Sequence, residues 1–222
     1  MSKSNSVIKL SRSVLVDPFC VALAAIEIKC CASNREKVVA VVSALSGETD
    51  RLLAAVADVD PHRVAEFVTT GEVQSACLLR IALEPLSVTA KVIAPSDCGL
   101  LANGKPLDAN PIDLDVDEIH RLLENADVTV TPGFAACDDL GRSVPLGRGD
   151  SDDTALFLAQ QLGAKCRLIK DVDGIFEFDP ARSGPPPRRF RKITWRDGIR
   201  LAGVLDGQPY LTTNSQVVEI QR

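Results

Sequence analysis

The sequence predicts an open α/β fold: a three-layer sandwich with a mainly parallel central sheet. Short β-branched apolar runs recur along the chain, and helical stretches of about 10 to 14 residues separate them. Strands joined through helices run parallel and are covered on both faces. No internal repeat is visible, and no linker is long enough to separate independent units, so residues 1–222 are expected to form one domain.

Taken in order, SVIKL (6–10) reads as the first strand and 18–31 as the first helix. KVVAVVSAL (37–45) follows as a buried strand, and 50–59 as a second helix. A helix over 72–83 leads to a strand at LSVTAKVIA (86–94). The amphipathic stretch DVDEIHRLLENA (115–126) leads into the strand DVTVTPGF (127–134). Residues 152–162 read as a helix ended by Gly163, KCRLIKDV (165–172) as a strand, 193–203 as a last helix and QVVEI (216–220) as a final strand. Two stretches break the rhythm and read as surface loops: 96–111, dense in turn residues, and 179–191, with three consecutive prolines.

The 222 residues, 45% hydrophobic, are enough for a sizeable core. A net charge of -5 argues against a nucleic-acid surface, and the one basic cluster, Arg188, Arg189, Arg191 and Lys192, reads as a solvated loop. The seven cysteines form no CxxC pair, and several lie in apolar runs (Cys20, Cys77, Cys166). This fits reduced thiols in a cytoplasmic protein and implies no zinc site. Neither an apolar leader nor a run of ~18 apolar residues occurs, so no membrane partner is expected. With only His62 and His120, both read as surface residues, histidine triads and multi-histidine metal sites are not expected.

The segment with most chemistry is PLGRGDSDDTALFLAQQLGA (145–164). Gly147 and Gly149 allow close approach of backbone to a ligand, Ser151 or Asp152 can cap the helix that follows, and the helix start offers free N–H groups to an anion. Taken alone, this spacing fits an anion site and an ordinary capped glycine loop equally well.

The same segment resembles the LGRGGSDTTA signature of aspartate kinases in the amino-acid kinase family, and KDVDGIFEFDPA (170–181) resembles their TDVDGVYTADP nucleotide segment. VVSALSGETD (41–50), TTGEVQSACLL (69–79) and VTPGFAA (130–136) are similar to further family segments in the same order. The resemblance implies the amino-acid kinase (carbamate kinase-like) fold and a homodimer. It also implies an ATP- and Mg2+-dependent kinase that phosphorylates the carboxylate, or another anionic group, of an aspartate-like small molecule.

By the same resemblance, Lys9 and Asp152 are catalytic, with Asp152 orienting the lysine and the transferring phosphate. Arg148 holds the substrate α-carboxylate and Glu72 its amino group, while Ser43, Thr49, Phe134 and Ser151 border the acceptor. Asp171, Gly174, Phe176 and Asp179 surround the nucleotide. Read from the residues alone, Arg148 and Glu72 also fit a surface ion pair or a cap, and Ser43, Thr49 and Phe134 fit strand-end packing.

Three departures touch the phosphate side. The family's KFGG start is here Lys9, Leu10, Ser11 and Arg12, with both glycines replaced. Asp150 stands where the family has glycine, a like charge that costs about 4 kcal/mol at ~4 Å and an effective dielectric of ~20. The C-terminal lysine of the family has no counterpart in LAGVLDGQPYL (201–211), leaving Arg12 and Lys170 as further basic candidates. The family's ACT regulatory domains do not occur within the 222 residues, so feedback of that type is not expected. These departures define the alternative reading: a weak or inactive homologue that binds a nucleotide or metabolite, or serves in a complex.

Overall fold

The computed structural model describes residues 5–33, 36–56, 59–146, 150–176, 183–190, 211–214 and 219–220. In chain order the elements are β1 (Asn5–Leu10), α1 (Pro18–Ser33), β2 (Lys37–Val42), α2 (Glu48–Ala54) and α3 (Pro61–Leu83). Next come β3 (Ala90–Val92), β4 (Leu101–Lys105), β5 (Asp108–Asp113), α4 (Val116–Glu124), β6 (Val128–Pro132), β7 (Ala135–Cys137) and β8 (Ser143–Pro145). The chain continues through α5 (Asp150–Gln161), β9 (Lys165–Ile169), β10 (Asp171–Phe176), β11 (Arg189–Phe190), β12 (Leu211–Asn214) and β13 (Glu219–Ile220).

The expected α/β sandwich is present. Its central sheet has the order β13-β9-β1-β2-β6-β3, parallel except for β13 at one edge. Alternation along each strand sends side chains to two separate cores. Val7, Val39, Val41, Cys166 and Leu168 face a core shared with α4 and α5. Ile8, Leu10, Val38, Ala40, Val42, Val128 and Val130 face one shared with α1 and α3. Both faces are thus dry, which is why the strands read as continuous apolar runs.

Helix starts follow from capping chemistry. Asp17 Oδ1 accepts the Cys20 N–H at 2.8 Å with Pro18 opening α1, and Asp60 Oδ1 accepts the His62 N–H at 2.8 Å with Pro61 opening α3. Asp115 caps α4 through the Glu118 N–H at 2.9 Å. The stripe Val21, Ala25, Ile28 and Cys31 seats α1 on the sheet.

Several expectations need correction. The stretch 96–111 is not a loop: a 3-10 turn, Pro95–Cys98, leads into the antiparallel β4–β5 hairpin, which joins β7 and β8 in a four-stranded sheet. Ala102 and Ala109 of this hairpin are buried in the α4/α5-side core, and that burial is what organises a segment rich in turn residues. The helix read as 72–83 starts eleven positions earlier, at Pro61 behind the Asp60 cap. The helix read as 50–59 starts at Glu48 and its regular part ends at Ala54.

The strand read as 86–94 shortens to β3, because the 3-10 turn Glu84–Leu86 and Ser87, at φ 59, carry the chain out of α3 first. Of the loop read over 179–191 the structure describes 183–190, which end in the two-residue strand β11, and there Arg188 stacks 5.1 Å over the Phe190 ring. His62, in the first turn of α3, is half-buried, and only His120 is fully a surface residue. All seven cysteines are free thiols, as expected. The helix expected over 193–203 lies outside the described residues.

Candidate active site

Parallel strands end on one side of the sheet, and in open α/β sheets that carboxyl edge is where ligands bind. Here the ladder runs one step past the strands. The Ser11 N–H donates to Ile169 O at 3.1 Å, the Ser43 N–H to Leu10 O at 3.1 Å and the Gly133 N–H to Val42 O at 3.0 Å. The residues following β1, β2, β6 and β9 therefore form a row, with α5 leaning in from one layer and α3 from the other.

From β1, Lys9 points to the α5 side, as its place between Val7 and the end of the strand requires. Its Nζ lies 2.6 Å from Asp152 Oδ1 and donates to Ser11 Oγ at 2.8 Å. From the end of β9, Lys170 pairs with the other carboxylate oxygen of Asp152. All three side chains are largely buried, with 6%, 13% and 16% exposure for Lys9, Asp152 and Lys170.

Burial pushes the Lys9 ammonium below its ordinary pKa, and the Lys170 charge adds to this against the pull of Asp152. Burial would raise Asp152, but the Lys9 and Lys170 charges together outweigh it and hold its carboxyl below the usual range. The neighbouring Asp153 is raised, first by burial and then by the Asp152 charge. Among the described residues, two ammoniums share one ionised carboxylate within ion-pair distance, an arrangement that an anion would complete.

Across the site, Ser43 Oγ and Ser151 Oγ are hydrogen-bonded at 2.9 Å, and Glu72 of α3 accepts the Phe134 N–H. Burial drives Glu72 up to about 8, although the N–H groups of Phe134, Gly133 and Ala44 and the charge of Lys9 all draw it down. Gly133 makes this junction possible: a Cβ there would stand 2.6 Å from Ser151 Cβ and 2.7 Å from Val41 Cγ1. Its carbonyl accepts Thr154 Oγ1 at 2.6 Å, which ties β6 to α5.

Six of the expected positions are thus bonded in three pairs: Lys9 with Asp152, Ser43 with Ser151, and Glu72 with Phe134. Thr49 sits half-buried on the first turn of α2, outside these bonds, and Phe134 is half-buried. Asp171, Gly174 and Phe176 lie on β10, which follows Lys170 directly. Gly147, Arg148, Gly149 and Asp179 lie outside the described residues.

Ser151 and Asp152 do not cap α5, which already begins at Asp150. Their side chains are taken by Ser43 and the lysines instead. Lys170 stood in the sequence only as one of two spare cations. Its signal was position, since Leu10 is in register with Ile169 and the residue after Ile169 must emerge beside the end of β1. The other candidate, Arg12, is exposed.

The sequence pattern of the amino acid kinase family matches residues 6–209. The aspartate kinase of Pseudomonas putida is 33% identical over 174 residues, covering 76% of this chain and 42% of that one. The aspartokinase of Corynebacterium efficiens is 34% identical over 173 residues, 75% of this chain and 41% of that one. The chain therefore spans about two-fifths of the length of these curated relatives.

Among solved structures, E. coli aspartokinase III in complex with aspartate and ADP superposes with a TM-score of 0.76 at 21% identity, over 89% of this chain and 56% of that one. Aspartate kinase from Synechocystis superposes with a TM-score of 0.72 at 27% identity, over 90% of this chain and 34% of that one. With the family pattern running through nearly all of it, and with relatives a third identical over three quarters of its length, the chain belongs to the amino acid kinase family.

Proposed function

We propose that this chain is an ATP-dependent kinase that phosphorylates the carboxylate of aspartate or an aspartate-like amino acid. The observation that carries the reading is the buried Lys9–Asp152–Lys170 cluster at the carboxyl edge of the parallel sheet, in which two ammoniums share the Asp152 carboxylate. It sits in a chain whose relatives are aspartate kinases and whose structural neighbour was solved with aspartate and ADP.

The cluster suits the terminal phosphates of a nucleotide: Lys9 meets the charge, and Asp152 holds the lysine at its place. Bound ATP supplies the phosphoryl group. Among the described residues no group of three His, Cys, Asp or Glu is gathered that could hold a metal, so Mg2+ belongs on the nucleotide's phosphates in this reading. Asp171, Gly174, Phe176 and Asp179 are assigned to the nucleotide.

The acceptor is a carboxylate already ionised at neutral pH, and no residue need take a proton from it. Positioning and charge neutralisation are what the protein must provide. Arg148 is assigned to the α-carboxylate, Glu72 to the amino group, and Ser43, Ser151, Thr49 and Phe134 to the acceptor end. An ammonium held by Glu72 would draw the proton off its raised carboxyl. The same reading includes a homodimer in the cytoplasm. No described helix is long and apolar enough to cross a membrane.

ADP release measured with ATP, Mg2+ and a panel of amino acids tests the assignment. The expected result is release that depends on aspartate or a close analogue and that Lys9→Ala almost abolishes while the fold is retained. A folded parent protein that binds nucleotide but releases no ADP with any member of the panel would overturn it and leave a binding protein.

A further inference from the structure

The pairing of Lys170 with Asp152 carries an inference beyond the roles assigned above. Lys9 and Lys170 leave adjacent parallel strands at the same end, with Leu10 in register with Ile169, so both ammoniums are delivered to one point by the sheet itself. Asp152, on the first turn of α5, is shared between them, one oxygen to each. A single carboxylate can balance one ammonium. Among the described residues the second has no carboxylate of its own within ion-pair distance, Asp153 acting on Lys170 only from farther off, and an ammonium buried in this way costs free energy unless an anion completes it. Lys170 is also the more exposed of the two, at 16% against 6%. Its flexible stem and three donors let it turn from Asp152 towards a ligand without moving the backbone.

We propose that Lys170 is a phosphate-contacting residue, forming with Lys9 a two-lysine seat for the terminal phosphates of the nucleotide, with Asp152 as the shared anchor. This rests on the nucleotide site assigned under the proposed function. The seat takes the place of backbone wrapping at the end of β1, where the Ser11 N–H is already given to Ile169 O. The competing account is that Lys170 is only a structural ion pair.

The test measures binding of inorganic pyrophosphate, ATP and adenosine by calorimetry to the parent chain, Lys170→Met and Lys170→Arg. Losing a charge-assisted contact should weaken pyrophosphate and ATP about tenfold or more in Lys170→Met. Adenosine should bind as before, and Lys170→Arg should recover most of the loss. Unchanged pyrophosphate affinity in a folded Lys170→Met protein overturns the inference, as does an equal loss for adenosine.

Should Lys170→Met not fold, acetylation of the parent chain read by mass spectrometry decides. Pyrophosphate is expected to shield Lys170 together with Lys9, and equal labelling of Lys170 with and without it overturns the inference. The kinase reading fails separately. Pyrophosphate bound through Lys170 in a chain that never phosphorylates an amino acid keeps the seat and removes the kinase. Aspartate phosphorylation untouched by Lys170→Met keeps the kinase and removes the seat.

Discussion

Glu72 and Asp152 are both carboxylates buried at one sheet edge, yet their surroundings drive them in opposite directions. Asp152 has two ammoniums within ion-pair distance and stays ionised. Glu72 has mainly backbone N–H groups and a more distant lysine, and burial raises it to about 8. A carboxyl raised in the folded state binds its proton more tightly there than in the unfolded chain, so stability falls as the pH rises from the ordinary carboxylate range to about 8 and then levels off. Glu72→Gln removes that titration. The unfolding free energy of the parent minus that of the variant should therefore fall by about 1.4 kcal/mol per pH unit between roughly pH 5 and 7.5. Urea unfolding across this range checks it, and a flat difference would mean that Glu72 is ionised throughout. Positions at this scale were legible wherever a local motif carried them: Lys9, Ser43, Glu72 and Asp152 all lie bonded at the sheet edge. Lys170 was not, because its partner depends on strand register and lies 18 positions away in sequence.

The elements meet the site through two glycines where close packing leaves no room for a side chain. Gly71 lies inside α3, and a Cβ there would come within 3.1 Å of Leu52 Cδ1 and 3.3 Å of Glu48 Cγ, so its absence lets α2 and α3 lie close. That same glycine interrupts the helical pattern and hides the first half of α3 from a reading by periodicity, although Asp60 and Pro61 mark the true start. Gly133 is tighter. Gly133→Ala must displace either α5 or β2, and is expected to cost about 1–3 kcal/mol. It should also weaken amino-acid binding, because the Phe134 N–H to Glu72 and the Ser43 to Ser151 bond both hang on this junction. Chemical denaturation and ligand titration of the variant check this, and an unchanged denaturation midpoint would refute it. The β4–β5 hairpin escaped the sequence for a different reason: its apolar content is slight, and its pairing is specified by contact with β7 rather than by its own alternation.

At the scale of the whole molecule, one sheet separates the two cores, and each strand contributes alternate residues to both. Neither core can be lost while the other persists, so unfolding should be a single cooperative event. The buried thiols report on this independently: Cys31 lies on the α1/α3 face, and Cys98 and Cys166 on the other, all with 3% exposure or less. Pulse labelling of these thiols over a urea series should give one midpoint for all three, and separated midpoints would show two independently unfolding units. Strand and helix alternation was enough to specify the parallel sandwich, because a strand covered on both faces writes its burial into consecutive residues. Motif order was likewise enough to place the family. Which side chains share a charge, and that Asp152 serves two lysines while Glu72 lies among backbone amides, depended on tertiary packing. Those pairings join residues far apart in the chain, and their energies are set by burial and distance, neither of which a local pattern contains.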